Sequence, residues 1–200
     1  MNPEGQAPSV RAFVSISPEA ELIAELRKLQ ETVAPDCERR LVKWTRPDQI
    51  HLTLRFLGNV RAEQVNPLSE ALRRACEPFQ PFEIRVDQIG CFPSPRRPSV
   101  IWVGIAGDLN QLQKLQEAVQ HATEPFARHS ENRAFHPHLT IGRVKARGGD
   151  WGSGDWIRQA QVTSNGKWSV TEVKLMQSKL GPEGSTYTAL LTALLARSKD

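Results

Sequence analysis

His51-Leu52-Thr53-Leu54 and His138-Leu139-Thr140-Ile141 are the two stretches on which the reading of this chain turns. Their offset is 138 − 51 = 87 residues. Chance placement of the chain's His, Leu and Thr residues yields roughly 0.02 His-Leu-Thr triplets; two are present. Both lie in apolar runs, Ile50 to Leu57 and Phe135 to Val144, that read as strands. Strand side chains alternate with period 2, so each His shares a face with the Thr two residues on. Leu52, Leu54, Leu139 and Ile141 then face a core. Two such strands side by side aim two imidazoles and two hydroxyls at one point.

That set of groups has a chemistry. An imidazole titrates near pH 6.5, so one neutral and one protonated ring supply a general base and a general acid. The hydroxyls can donate hydrogen bonds to anionic oxygens as charge develops. The combination suits in-line attack at phosphorus, and the repeat is symmetric as to which ring is acid and which base. Packing alone does not call for the same polar pair twice. His136-Pro137-His138 has the H-x-H form of a metal pair, but no carboxylate or Cys clusters beside it in sequence. His121 and His129 read as surface residues of a helix and a loop.

Outward from the repeat, residues 1–8 read as a flexible tail and 9–200 as one domain without a linker. Val10 to Ile16 is a β-rich run. Ser17 and Pro18 suit the start of a helix over 18–33, with Leu22, Ile23, Leu26 and Leu29 at helical spacing. Leu41 to Trp44 reads as a short strand and 61–77 as a second helix. Phe82 to Phe92 and Val100 to Ala106 read as strands flanking the basic loop P-S-P-R-R-P. Asp108 suits a cap for a third helix striped by Leu109, Leu112, Leu115 and Val119. Lys145 to Asp155 is a glycine-rich, flexible loop, and a short helix is expected at 155–160. Lys167 to Leu180 alternates as one long strand. Thr186 to Leu195 is a further strand, with a helix open by composition. Helices and strands mix without strict βαβ alternation, which predicts an α+β fold with largely antiparallel sheet.

The 200 residues are 39% hydrophobic and 24% charged, with a mean hydropathy of −0.44. These values exclude wholesale disorder, collagen-like sequence and a coiled coil. No apolar run approaches the ~18–20 residues that span a bilayer, and the first residues lack the pattern of a signal peptide. Cys37, Cys76 and Cys91 are odd in number and widely spaced, which disfavours a disulfide framework or a zinc ribbon and predicts reduced thiols in the cytoplasm. The net charge of +4 admits a polyanionic substrate without demanding one.

The sequence resembles the 2H phosphoesterases, and within them the RNA 2′,3′-cyclic phosphodiesterases historically called 2′-5′ RNA ligases. Besides the two tetrapeptides, the resemblance rests on R-A-F-V-S-I, W-T-R-P-D-Q-I-H-L-T-L-R-F-L-G, C-F-P-S-P-R-R-P, F-H-P-H-L-T-I-G-R and S-K-L-G-P-E-G-S-T-Y. It implies two pseudo-symmetric lobes, each an antiparallel-rich sheet backed by helices, with the motifs in the cleft between them. It implies hydrolysis of RNA 2′,3′-cyclic phosphate ends to 2′-phosphomonoesters, with no metal or other cofactor. His51 would be the proton donor and His138 the proton acceptor, with Thr53 and Thr140 holding phosphate oxygens. Phe56 and Arg143, each five residues after a motif His, would bind the terminal nucleotide. Position +5 is odd, so an ideal strand turns both residues away from the histidines. The implied role requires a kink, which the nearby Gly58 and Gly142 permit. A cytoplasmic monomer acting on RNA ends or related cyclic nucleotides, without a membrane partner, is the expectation. Reverse 2′-5′ ligation, capture of RNA ends without turnover, and another small cyclic phosphate are the alternatives.

Overall fold

The computed structural model describes residues 8–33, 41–128, 134–145, 151, 156–157, 166–182 and 184–196. In chain order these form β1 (Ser9–Ile16), α1 (Ala20–Thr32), β2 (Val42–Trp44), β3 (Leu52–Arg61), α2 (Val65–Cys76), β4 (Phe82–Phe92), β5 (Val100–Gly107), α3 (Leu109–Thr123), β6 (His138–Val144), β7 (Lys167–Val170), β8 (Glu172–Gly181) and β9 (Gly184–Leu194). The fold is mixed α+β. Every strand pairing among the described residues is antiparallel.

The strands make one sheet in the order β7-β4-β5-β6-β3-β1-β8-β9, with β2 also on β6. Its two halves, β9-β8-β1-β3 and β6-β5-β4-β7, join where Leu52 pairs with Leu139. Both leucines are the central residues of the H-L-T repeats, and both are fully buried. The repeat therefore sits at the seam of the sheet.

Apolar stripes explain how the helices seat. In α1 the buried residues are Leu22, Leu26 and Gln30, and in α2 they are Leu68, Ser69, Leu72 and Cys76. In α3 they are Leu112, Leu115, Gln116, Val119 and Thr123. Each set follows helical spacing and lines one face. Helices α2 and α3 pack on each other; α3 lies on β3, α2 on β8 and β9, and α1 on β6. Burial pushes the thiol of Cys76 up to about 12 and that of Cys91 up to about 11, which holds both protonated. Cys37 and His129 lie outside the described residues.

Several expectations need correction. Helix α1 starts later than Ser17 and Pro18 suggested. Glu19 is its N-cap residue and makes no side-chain cap, because its carboxylate takes the N–H of Ser169 on edge strand β7 at 3.1 Å. The second helix opens with a 3-10 turn over Ala62–Gln64. Asp108 does cap α3, accepting from the Gln111 N–H at 3.0 Å, but Leu109 is exposed rather than part of the core stripe. Strand β6 begins at His138 rather than Phe135, after Pro137. The run from Lys167 to Leu180 is broken at Thr171. Its first part pairs with β4 and its second with β1 and β9, in opposite halves of the sheet. The final run is a strand, not a helix. Within the glycine-rich segment Trp151 is buried against Trp156, their ring centroids 5.2 Å apart. Of the expected helix at 155–160 only Trp156 and Ile157 are described, and of the expected tail over 1–8 only Pro8 is, its carbonyl accepting from the Ala62 N–H at 2.7 Å.

Candidate active site

His51 immediately precedes β3, and His138 opens β6. Carrying the Leu52–Leu139 pairing one residue either way sets Thr53 opposite His138 and His51 opposite Thr140. The repeats therefore cross at the seam so that each histidine faces the other repeat's threonine. All four side chains are half-buried and lie on the face away from Leu52 and Leu139.

Each ring is oriented in the same way. His51 Nδ1 lies 2.7 Å from the Gln49 carbonyl oxygen, and His138 Nδ1 lies 2.6 Å from that of His136. A carbonyl can only accept, so Nδ1–H donates in both cases and Nε2 is the working nitrogen. Aromatic side chains brace the rings. Around His51, Phe13 and Tyr187 lie at centroid distances of 4.8 and 5.4 Å; around His138, Phe92 and Trp102 lie at 5.4 and 6.1 Å. None of these four aromatics was a sequence candidate, since non-local pairing of β1, β4, β5 and β9 assembles them.

The +5 residues reach the same face, and the register shows how. On β1, Ser15 and Val14 pair with Thr53 and Arg55, leaving Leu54 as an extra residue in a bulge. Leu54 and Arg55 both turn inward, so Phe56 emerges opposite Phe13 on the histidine side, 59% exposed. On β5, Trp102 and Ile101 pair with Thr140 and Gly142, leaving Ile141 extra. Arg143 then pairs with Val100, which shares a face of β5 with Trp102 and Gly104. A bulge inserts one residue and reverses the alternation beyond it, which resolves the parity conflict at both sites. Phe56 is thus no core residue. The expected glycine kinks play other parts. Gly58 adopts φ +73 farther along β3, while a Cβ on Gly142 would lie 2.7 Å from Val42 Cγ1. Lys43 of β2 pairs directly with Arg143 and adds a second cation to this edge.

Electrostatics follow from this arrangement. Both histidines are held below the ordinary 6.5, first by burial, against the opposing effect of their carbonyl hydrogen bonds. The Arg143 cation lowers both further, as does His138 at His51. The folded state therefore favours neutral rings. The unfolded chain binds more protons below pH 6.5, so stability is full above that pH and declines as pH falls through the lowered folded values. Melting temperatures measured from pH 7.5 down to 5 should fall more steeply in the wild type than in His51→Gln/His138→Gln. Equal slopes would refute the link.

A second expectation concerns the brace at His138. Gly90 pairs with Trp102, and a Cβ there would sit 2.2 Å from two carbons of the indole ring. The ring is rigid and packed at a tilt beside Phe92 and His138, so it must move bodily. Gly90→Ala should cost roughly 1–3 kcal/mol of stability through overpacking and lower turnover. Denaturant unfolding and initial rates on one sample check both.

Comparison with known proteins fits this geometry. The LigT-like phosphoesterase family model matches residues 16–102. The RNA 2′,3′-cyclic phosphodiesterase of Methanothermobacter thermautotrophicus is 31% identical over 184 residues, covering 90% of this chain and 95% of that protein. The chain belongs to the LigT-like phosphoesterases. Among solved structures, TT0787 of Thermus thermophilus superposes with a TM-score of 0.78 at 27% identity, covering 94% of this chain and 99% of that one. E. coli LigT complexed with 3′-AMP gives a TM-score of 0.71 at 25% identity, with 94% and 99% covered. The antiparallel α+β architecture is thus that of the LigT-like phosphoesterases. Among the described residues no helix is long and apolar enough to cross a membrane.

Proposed function

We propose that this chain hydrolyses RNA 2′,3′-cyclic phosphate ends to 2′-phosphomonoesters through a metal-independent histidine pair. The observation that carries the reading is the crossed placement of two His-Thr pairs at the sheet seam, each imidazole presenting Nε2 to one face. Water attacks phosphorus while His138 Nε2 takes its proton. The bond from phosphorus to the 3′-oxygen breaks, and His51 Nε2 delivers a proton to that oxygen. Thr53 and Thr140 donate hydrogen bonds to the non-bridging oxygens, where charge builds. The acid and base labels follow the family resemblance, since the geometry is close to symmetric. Burial and then the Arg143 cation hold both histidines low in the free protein, and a bound phosphodiester anion favours the proton on the acid. Phe56 offers a ring face to the terminal base, and Arg143 a cation to its edge or phosphate.

The names of the relatives support the substrate, and the 3′-AMP complex of E. coli LigT supports a nucleotide as occupant. Among the described residues no three His, Cys, Asp or Glu side chains gather as ligands for a metal. The test is product analysis on an oligonucleotide ending in 2′,3′-cyclic phosphate, with and without excess chelator. A 2′-phosphate end formed equally in both supports the reading. A 3′-phosphate end, or activity lost to chelator and restored by a divalent ion, overturns it. Binding without turnover would make the chain an end-capturing protein instead.

A further inference from the structure

We propose that Gln30 of α1 and Gln116 of α3 are positioning residues that hold the two bulges and thereby aim Arg143 and Phe56 at the histidine face. The proposal rests on the function given above for that face. A bulge leaves backbone groups outside the regular ladder, and inside a core such groups need other partners. The bulged residues are Leu54 and Ile141, each three positions after its motif histidine. Each carbonyl receives a hydrogen from a glutamine on a helix. Gln30 Nε2 donates to Ile141 O at 2.8 Å and to Thr45 O at 2.9 Å. Gln116 Nε2 donates to Leu54 O at 3.4 Å and to the Gln120 side chain at 2.8 Å.

Both glutamines are about nine-tenths buried or more, at 9% and 5% exposure. Each occupies its helix's apolar stripe, four residues after a buried leucine, Leu26 or Leu112. A polar side chain there costs desolvation unless it satisfies a buried group. The Ile141 carbonyl also accepts from the Thr45 N–H at 2.9 Å, so Gln30 ties α1, the end of β2 and the β6 bulge together. Its two amide hydrogens meet two carbonyls, leaving no tolerance for a carboxylate there. The Gln116 contact is longer and weaker. Gln30 therefore controls Arg143 tightly, and Gln116 controls Phe56 more loosely.

The experiment compares Gln30→Leu, Gln30→Met, Gln116→Leu and Arg143→Ala. Arg143 depresses both histidines, so displacing it lets their titration rise. NMR titration of His51 and His138 should shift upward in the folded Gln30 variants, as in Arg143→Ala, and stay put in Gln116→Leu. Gln30→Leu should lower kcat/KM about tenfold in the wild-type background and change it little in Arg143→Ala, since residues acting as a unit are not additive. Gln116→Leu should raise KM with kcat held. If Gln30→Leu fails to fold, Gln30→Met preserves the volume and carries the same readouts. Unmoved histidine titrations in a folded Gln30 variant, or additive losses with Arg143→Ala, overturn the proposal. A wild type inert on cyclic phosphate with the titration shift intact overturns the function and upholds the positioning.

Discussion

His51→Ala and His138→Ala should each lower kcat by roughly 10²–10⁴, a loss of about 3–5 kcal/mol in transition-state stabilisation. In the proposed mechanism both rings take part in one displacement, one accepting a proton from water and the other giving one to the 3′-oxygen. Removing either stops the concerted step, so the double variant should be little worse than the worse single one. Thr53→Ala and Thr140→Ala should be milder, because each deletes one hydrogen bond and leaves the proton relay in place. Truncating a ring also empties the space between two aromatics, Phe13 and Tyr187 or Phe92 and Trp102. His51→Gln and His138→Gln keep more of that volume and serve as controls. Turnover and melting temperature on the same samples separate chemistry from folding. Wild-type rates in folded histidine variants would remove both residues from the mechanism, and multiplicative losses would break the concerted scheme.

The largest effect on stability is expected at Arg55. Its side chain is fully buried, and it donates to the Gln120 carbonyl, to Thr123 Oγ1 at 3.3 Å and to the Glu124 carboxylate. These contacts pin the first bulge of β3 to the C-terminal turn of α3. Arg55→Ala removes a charged donor from a core, for which breaking a buried pair costs roughly 3–5 kcal/mol. Glu124 is 47% exposed and can turn to water, so the expected loss is at the lower end, about 3 kcal/mol. Arg55→Met, which keeps most of the packed stem, should lose less. Glu124→Gln should cost less still, because the guanidinium keeps its carbonyl and hydroxyl partners. Because Phe56 follows Arg55 directly, Arg55→Ala should also raise KM in whatever fraction stays folded. Urea unfolding with initial rates would check both, and an unchanged midpoint would show that the cluster contributes nothing net.

The elements that position the site were largely legible. Helical spacing placed α1 and α3, and apolar runs bounded by turns placed β4 and β5, while composition leaves the run of β9 open between strand and helix. The His-Leu-Thr repeat marked the seam, because a period of 2 holds over the three residues it spans. Beyond Leu54 and Ile141 that count fails. A bulge adds a residue without any signature in residue type, and unbroken alternation would put Arg55 on the face of His51 and Thr53 rather than under α3. The break at Thr171 was hidden for a related reason: β7 and β8 both alternate, and only their separate partners divide them. Gln30 and Gln116 did carry a signal, a polar residue at the spacing of an apolar stripe. Glu19 carried none, since its partner Ser169 lies far along the chain.

The break at Thr171 also governs the order in which the molecule can be completed during synthesis. Strands β1 and β3 can pair as soon as residue 61 has emerged, but the other side of β1 belongs to β8, which begins at Glu172. The half that carries His138 draws on 82–107, 138–144 and 167–170, all made before that point. The half begun first is therefore finished last. Until β8 emerges, the nascent chain presents β1 with an open hydrogen-bonding edge, the kind of surface on which unfinished chains aggregate. A ribosome stalled before Glu172 holds both His-Thr pairs, yet the half bearing His51 still lacks its outer strands and the Tyr187 brace.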